Sequence, residues 1–194
     1  MTLRVGVLIS GRGSNLKALI KACAKPDYPA EIVLVISNEP NAMGLIYAQN
    51  SGLKTETIGH RQFKNRHNFE NSLTASLKKA RVDLVCLAGF MRILTVEFVN
   101  RWQDQLINIH PSLLPAFKGL NVHERVIASG VRFSGCTVHF VREDMDTGPV
   151  IIQSAVPVYP EDEPKDLAAR VLTSEHESLT LAVRMIAEGR VRIE

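Results

Sequence analysis

Cysteine is scarce in this sequence and never clustered. Cys23, Cys86 and Cys136 lie far apart among apolar or small residues, and no CxxC pair occurs. A disulfide framework is not expected, and a reducing cytoplasm is the compartment this usage fits. Zinc-protease spacing is missing too. His123-Glu124 and His176-Glu177 begin such a motif, but the fourth position on holds Ile127 and Thr180, so no metal is expected. Long apolar runs are absent. Stretches such as Leu84–Gly89 fall well short of the ~18 residues a membrane span needs. The N-terminal MTLRVGVLIS leads into Gly11-Arg12-Gly13 and not a cleavage site, so it reads as a first strand. Like charges never run to five. The 23 Lys and Arg against 20 Asp and Glu leave only +3, a balance without a nucleic-acid tail that still suits small anionic substrates. Neither a membrane nor a nucleic acid is an expected partner. Repeats and low-complexity tracts are also lacking.

What remains is an ordinary globular composition, 45% hydrophobic and 22% charged over 194 residues. That is the size of one domain able to bury roughly 70% of its unfolded surface. Apolar β-branched runs alternate with helical patterns. Strands are predicted at Arg4–Ile9, Ile32–Ile36, Lys54–Ile58, Leu84–Leu87 and Leu106–Ile109, and helices at Asn15–Ala24, Met43–Asn50, Arg66–Lys79 and Val96–Trp102. The strands are nearly continuous apolar runs, so both faces should be covered, and the alternation implies parallel pairing. After Ile109 the rhythm changes. A Pro/Gly loop, a short helix at Val122–Ser129 and two strands at Cys136–Val141 and Val150–Val158 flank an acidic turn, which implies antiparallel pairing. Asp162 and Glu163 are cap candidates for a final helix with Pro164 at its first position, and Gly189 ends it. The expected fold is α/β, a single doubly wound, mostly parallel Rossmann-like sheet with an antiparallel edge. In such sheets ligands bind at the carboxyl ends of the strands.

Four segments carry candidate chemistry. The first strand ends in Ser10-Gly11-Arg12-Gly13-Ser14-Asn15 before a helix. Glycines permit a tight turn, and free amides at a helix start attract anions. Leu16 stands where a dinucleotide fingerprint needs its third glycine, and Gly-Lys-Ser/Thr is absent, so a smaller phosphate fits better than NAD or ATP. An unliganded, well-capped turn is the alternative, and the spacing leaves both open. The fifth strand ends with Asn108 and His110, two apart and hence on one face, where they could polarise a carbonyl and hold an oxyanion. A hydrogen-bonded strand end is the alternative. Asp146, before Thr147-Gly148-Pro149, is ordinary turn chemistry unless it lies beside His110, where it would orient the imidazole. Phe90, Met91, Ile93 and Leu94, around Arg92, could line a flat pocket for an aromatic ligand, with backbone groups giving hydrogen bonds, or simply lead into a helix. His139, in VHFV, reads as a packed, hydrogen-bonded core residue, Cys86 as an inert one, and Glu175 matters only if it turns toward the cleft.

Taken together, SGRGSNL at Ser10–Leu16, AGFMRIL at Ala88–Leu94, NIHPSLLP at Asn108–Pro115 and the block Val138–Ile152 resemble the folate-dependent phosphoribosylglycinamide formyltransferases, with the order and spacing kept over nearly the whole chain. The resemblance implies transfer of a formyl group from 10-formyltetrahydrofolate, as co-substrate, to glycinamide ribonucleotide in de novo purine synthesis, without metal. It implies that the backbone at Gly13, Ser14 and Asn15 holds the ribose phosphate and that Glu175 contacts the glycinamide substrate. Asn108, His110 and Asp146 would be catalytic, with His110 protonated. Phe90, Met91, Arg92, Ile93, Leu94 and Asn108 would meet the folate, and Arg66 would contact it further out. Residues 1–105 would form a ribonucleotide half and 106–194 a folate-binding and catalytic half of one domain. The resemblance leaves a homodimer open. Arg12 stands where relatives often have Asn, and Asn121 where they may have His, so neither is assigned a role. The turn-rich segments Pro111–Asn121 and Val141–Gly148 are expected to close on folate. Formyltetrahydrofolate hydrolases usually add an N-terminal regulatory domain and methionyl-tRNA formyltransferases a basic C-terminal one, so the ribonucleotide transferase is the preferred reading. A non-catalytic nucleotide-binding module is the rival from another class.

Overall fold

A computed structural model describes residues 2–193. In chain order its strands are β1 (Leu3–Ile9), β2 (Ala30–Ser37), β3 (Thr55–Thr57), β4 (Leu84–Leu87), β5 (Leu106–His110), β6 (Phe133–Phe140) and β7 (Val150–Pro157). The helices are α1 (Ser14–Cys23), α2 (Met43–Asn50), α3 (Arg66–Lys79), α4 (Val96–Arg101), α5 (Val122–Ser129) and α6 (Pro164–Ala187). One sheet runs β3-β2-β1-β4-β5-β6-β7. β1 to β5 pair in parallel, and β6 joins β5 and β7 antiparallel. This is the expected doubly wound sheet with its antiparallel edge.

The strand alternation divides the core. Val5, Val7 and Ile9 of β1 and Ile107 and Ile109 of β5 face Leu16 and Leu19 of α1 and Leu167, Leu179 and Val183 of α6. Leu8, Val85, Leu87 and Leu106 face Phe69, Leu73 and Leu77 of α3 and Phe98, Val99 and Trp102 around α4. Covered faces explain why the strands read as unbroken apolar runs, with each buried Leu or Ile worth ~1.5–3 kcal/mol. Gly6 lets α3 close on the sheet, because a Cβ there would meet Leu77 Cδ2 at 2.7 Å.

Three local differences from the sequence reading have physical causes. β6 begins at Phe133 and not Cys136, because Gly135 lets the strands approach so closely that its Cβ would lie 1.9 Å from the Ser154 carbonyl oxygen. Of the two cap candidates before α6, only Glu163 caps, its N–H donating to Asp166 Oδ2 at 3.0 Å. Asp162 instead receives both Arg170 nitrogens, at 2.7 and 2.8 Å, which draw its carboxyl down to about 2. A 3-10 turn at His60–Gln62, which no period announces, precedes α3.

Candidate active site

The segments after β1, β4 and β5 leave the carboxyl ends of three adjacent strands, the edge where such sheets bind ligands. At the first, the chain turns sharply at Gly13, whose φ of 72° lies in the left-handed region. Glycine is required there twice over, because a Cβ would also lie 2.6 Å from Gly44 Cα. Gly44 N–H donates to the Gly11 carbonyl at 3.1 Å and pulls α2 against the turn. The amides of Ser14 and Asn15 open α1, where helix N–H groups have no partner within the helix and the dipole favours an anion. Asn15 is buried. Its Nδ2 donates to Glu175 Oε2 at 2.7 Å, while its Oδ1 is buried without a partner. Glu175, on α6, therefore turns toward this loop. Burial pushes its carboxyl above the ordinary range, against the lowering pull of the Asn15 bond.

β5 carries the second cluster. Leu106, Asn108 and His110 share a face by the period of the strand, and that face changes from core to polar as the strand ends. In the antiparallel ladder Asn108 lies opposite His139, and His110 opposite Thr137. The His110 Nε2 is 3.0 Å from the Phe117 carbonyl oxygen, and its Nδ1 is 3.4 Å from Asp146 Oδ1. Both ring nitrogens thus face oxygen acceptors, an arrangement that an imidazolium satisfies with its two N–H groups. The other Asp146 oxygen accepts the Gly119 N–H at 2.7 Å, so this carboxylate ties the 111–121 loop to the acidic turn. Phe117 and Asp146 both hold positive φ, 53° and 51°, a conformation uncommon for residues other than glycine.

His139 does more than fill the core. Its Nδ1 lies 3.0 Å from the Phe140 and 3.1 Å from the Thr147 carbonyl oxygens, which places a proton on Nδ1. Nε2 then accepts, and Asn108 Nδ2 sits 3.4 Å away to donate. Burial draws the His139 pKa down, opposed by these carbonyls and by Asp146, and keeps the ring neutral. One side chain thereby orients the Asn108 amide and anchors the turn that carries Asp146. Sequence reading missed this role. The signal was available in the pairing of Asn108-Ile109-His110 against Thr137-Val138-His139, but only once the two strands are known to be antiparallel and in this register.

The third segment follows β4. Gly89 has φ of 76°, and Phe90 turns into the core beneath α3. Phe90 therefore offers a ligand only its backbone. Met91 and Ile93 stand 69% and 66% exposed, Arg92 is exposed and Leu94 is half-buried. Arg66 begins α3, also exposed, on the helix whose Glu70 binds Thr95 at the end of this segment. A hollow bounded by Lys25, Tyr28, Leu181 and Arg184 lies at the opposite end of the sheet and encloses none of these residues. Among the described residues no group of three or more His, Cys, Asp or Glu could hold a metal ion, and no helix is long and apolar enough to cross a membrane.

A family model described as "Formyl transferase" matches residues 3–183. Over 191 residues the chain is 40% identical to the phosphoribosylglycinamide formyltransferase of Escherichia coli (strain K12), covering 98% of this chain and 90% of that protein. It is 49% identical over 190 residues to the trifunctional purine biosynthetic protein adenosine-3 of Bos taurus, but spans only 19% of that protein's length while 98% of this chain is covered. The crystal structure of glycinamide ribonucleotide transformylase 1 from Symbiobacterium toebii superposes with a TM-score of 0.97 at 41% identity, covering 100% of this chain and 91% of that one.

Proposed function

This chain belongs to the formyl transferase family, and on that premise we propose that it transfers the formyl group of 10-formyltetrahydrofolate to the amine of glycinamide ribonucleotide. The observation that carries the reading is the convergence of Asn108, His110 and Asp146. His110, from the end of β5, meets Asp146, from a turn 36 residues later, at 3.4 Å, and Asn108, two residues before His110, bonds His139, whose other ring nitrogen holds Thr147 beside Asp146. The relatives named for this same reaction supply the substrate class.

The chemistry follows from these groups. The neutral amine of the ribonucleotide attacks the formyl carbon, and the carbonyl electron pair moves to oxygen. Protonated His110 and the free N–H of the Asn108 amide donate to that oxyanion, the preorganised kind of stabilisation worth most in a site closed to water. The Phe117 carbonyl occupies the Nε2 donor, so the formyl oxygen takes it over as the 111–121 loop yields. Asp146 holds the imidazolium and passes a proton, through water, from the attacking nitrogen to the departing folate nitrogen. The intermediate then collapses to formylated ribonucleotide and tetrahydrofolate. No covalent enzyme intermediate is needed, and positioning supplies the rest of the rate.

The ribose phosphate is read onto the Gly13, Ser14 and Asn15 amides, with Glu175 toward the substrate's glycinamide side. The folate ring is read onto the backbone of Phe90 to Leu94, with Arg66 further out. On this reading each substrate meets both 1–105 and 106–194: the folate segment and Arg66 lie in the first with the phosphate loop, and Glu175 lies in the second with the catalytic group. The test mixes the protein with 10-formyltetrahydrofolate, with and without glycinamide ribonucleotide, and follows release of the deformylated folate. Release only with the ribonucleotide is expected. Release without it would make the protein a hydrolase, and no release from folded protein would leave a binding module.

A further inference from the structure

The segment from Gly89 to Thr95 is read above as the folate loop, yet little within it holds its shape. Phe90 is its one buried side chain, and Met91 and Ile93 project into solvent. Its fixings come from outside, one at each end. At the near end, Ser10 donates its backbone N–H to the Gly89 carbonyl at 3.1 Å, and its hydroxyl oxygen accepts the Met91 N–H at 2.7 Å. That hydroxyl commits its own proton to Asn38 Oδ1 at 2.5 Å. Asn38 is buried, and its amide nitrogen lies 3.2 Å from His60 Nδ1. The Ser10 hydroxyl is thereby held with a lone pair toward Met91.

At the far end the fixing is Glu70. This carboxylate is buried on α3 and has no cation beside it among the ion pairs of the described residues. An unpaired buried carboxylate is expensive in a helix that could carry Leu or Gln there. Its oxygens accept from a single residue: the Thr95 N–H at 2.9 Å and the Thr95 hydroxyl. Thr95 Oγ1 in turn accepts the Phe98 N–H at 3.3 Å and caps α4. The loop therefore spans two polar posts, one on the residue that follows β1 and one on α3, neither of which belongs to it.

We propose that Ser10 and Glu70 are positioning residues for folate, setting the ends of this loop so that the peptide groups of Arg92, Ile93 and Leu94 meet the pteridine ring in a fixed orientation. The proposal rests on the folate reading of the loop. Neither residue touches the reacting atoms. Ser10 shares its backbone with the phosphate loop, but its hydroxyl bonds only Asn38 and Met91. Losing the hydroxyl is therefore felt by folate and not by the ribonucleotide.

The test is calorimetric titration of the full chain with tetrahydrofolate, together with steady-state kinetics in both substrates. Ser10→Ala and Glu70→Gln should each weaken tetrahydrofolate binding by about fivefold to tenfold, the scale of one lost hydrogen bond. The KM for the formyl folate should rise in step, while kcat and the ribonucleotide KM stay within about twofold. Ser10→Thr, which keeps the hydroxyl, should recover most of the loss. Asn38→Ala should add less than about twofold in the Ser10→Ala background, because both act through one hydroxyl. Parent-like folate binding in both variants would overturn the proposal and leave the folate reading standing. Equal losses for both substrates with a lowered unfolding midpoint would reduce the two residues to general structure. Failure of the parent itself to bind tetrahydrofolate would remove the folate reading and the proposal together.

Discussion

The turn after β1 and the end of β5 sit on the same edge of one sheet and are built on opposite principles. The first is made of backbone. Gly13 and Gly44 approach so closely that no Cβ fits between them, and the groups offered to a ligand are the amides that open α1. The second is made of side chains. Asn108, His110, Asp146 and His139 are joined by contacts of 3.4 Å that hold each polar group by another. A backbone site is intolerant of added atoms and indifferent to side-chain chemistry. A side-chain site should tolerate isosteric change in shape while losing its function with the loss of one donor or charge.

Substitutions can break this contrast. The largest effect is expected at the side-chain site: Asn108→Ala, His110→Ala and Asp146→Asn should each lower turnover by at least ~100-fold, as removal of an oxyanion donor does. Near-parent turnover in any of them, measured by formyl transfer, removes that residue from the catalytic group. Next comes Gly13→Ala, which adds one carbon to the backbone site. Strain at the positive φ together with the Gly44 clash should cost ~1–3 kcal/mol of stability. Displacement of the amides should raise the ribonucleotide KM by ~10-fold or more. Urea unfolding and initial rates check the two halves of that statement, and a neutral outcome in both would mean that the turn can relax.

The smallest effect probes where the two principles meet, at Glu175 against Asn15. A carboxyl whose pKa is raised by folding contributes its stability fully below the ordinary carboxylate value and loses it as pH rises through the raised one. Glu175→Gln cannot ionise. Relative to the parent, the variant should therefore gain stability between about pH 4 and about pH 8. Urea midpoints at both pH values measure this, and a pH-independent difference would show that folding leaves the Glu175 carboxyl at its ordinary pKa.

Much of the architecture was legible because long-range order here echoes local pattern. Periodicity and breakers alone bound Met43–Asn50, Arg66–Lys79 and Val122–Ser129 where the helices lie, and the rhythm change after Ile109 marks the antiparallel edge. The site was legible in part. Asn108 and His110 are two apart on a strand, so their common face follows from the pleat. Asp146 and Glu175 carry no such local signal, since an Asp before a turn and a Glu on a helix are commonplace. Phe90 shows the converse: its motif put it with its loop neighbours, but packing against α3 takes the ring away from solvent.

The sequence by itself determined the alternation of strands and helices, the glycine turn that opens α1 and the polar pair that ends β5, because each depends on residues within one or two turns of chain. Only the tertiary structure decided that His139 shoulders Asn108, that the Phe117 carbonyl holds the His110 ring, and that Ser10 and Glu70 hold the two ends of one exposed loop. Those contacts join groups brought together by sheet register and by loops crossing between strands. Hydrogen bonds act over about 3 Å, and no local pattern along the chain records which distant groups folding will bring within that reach.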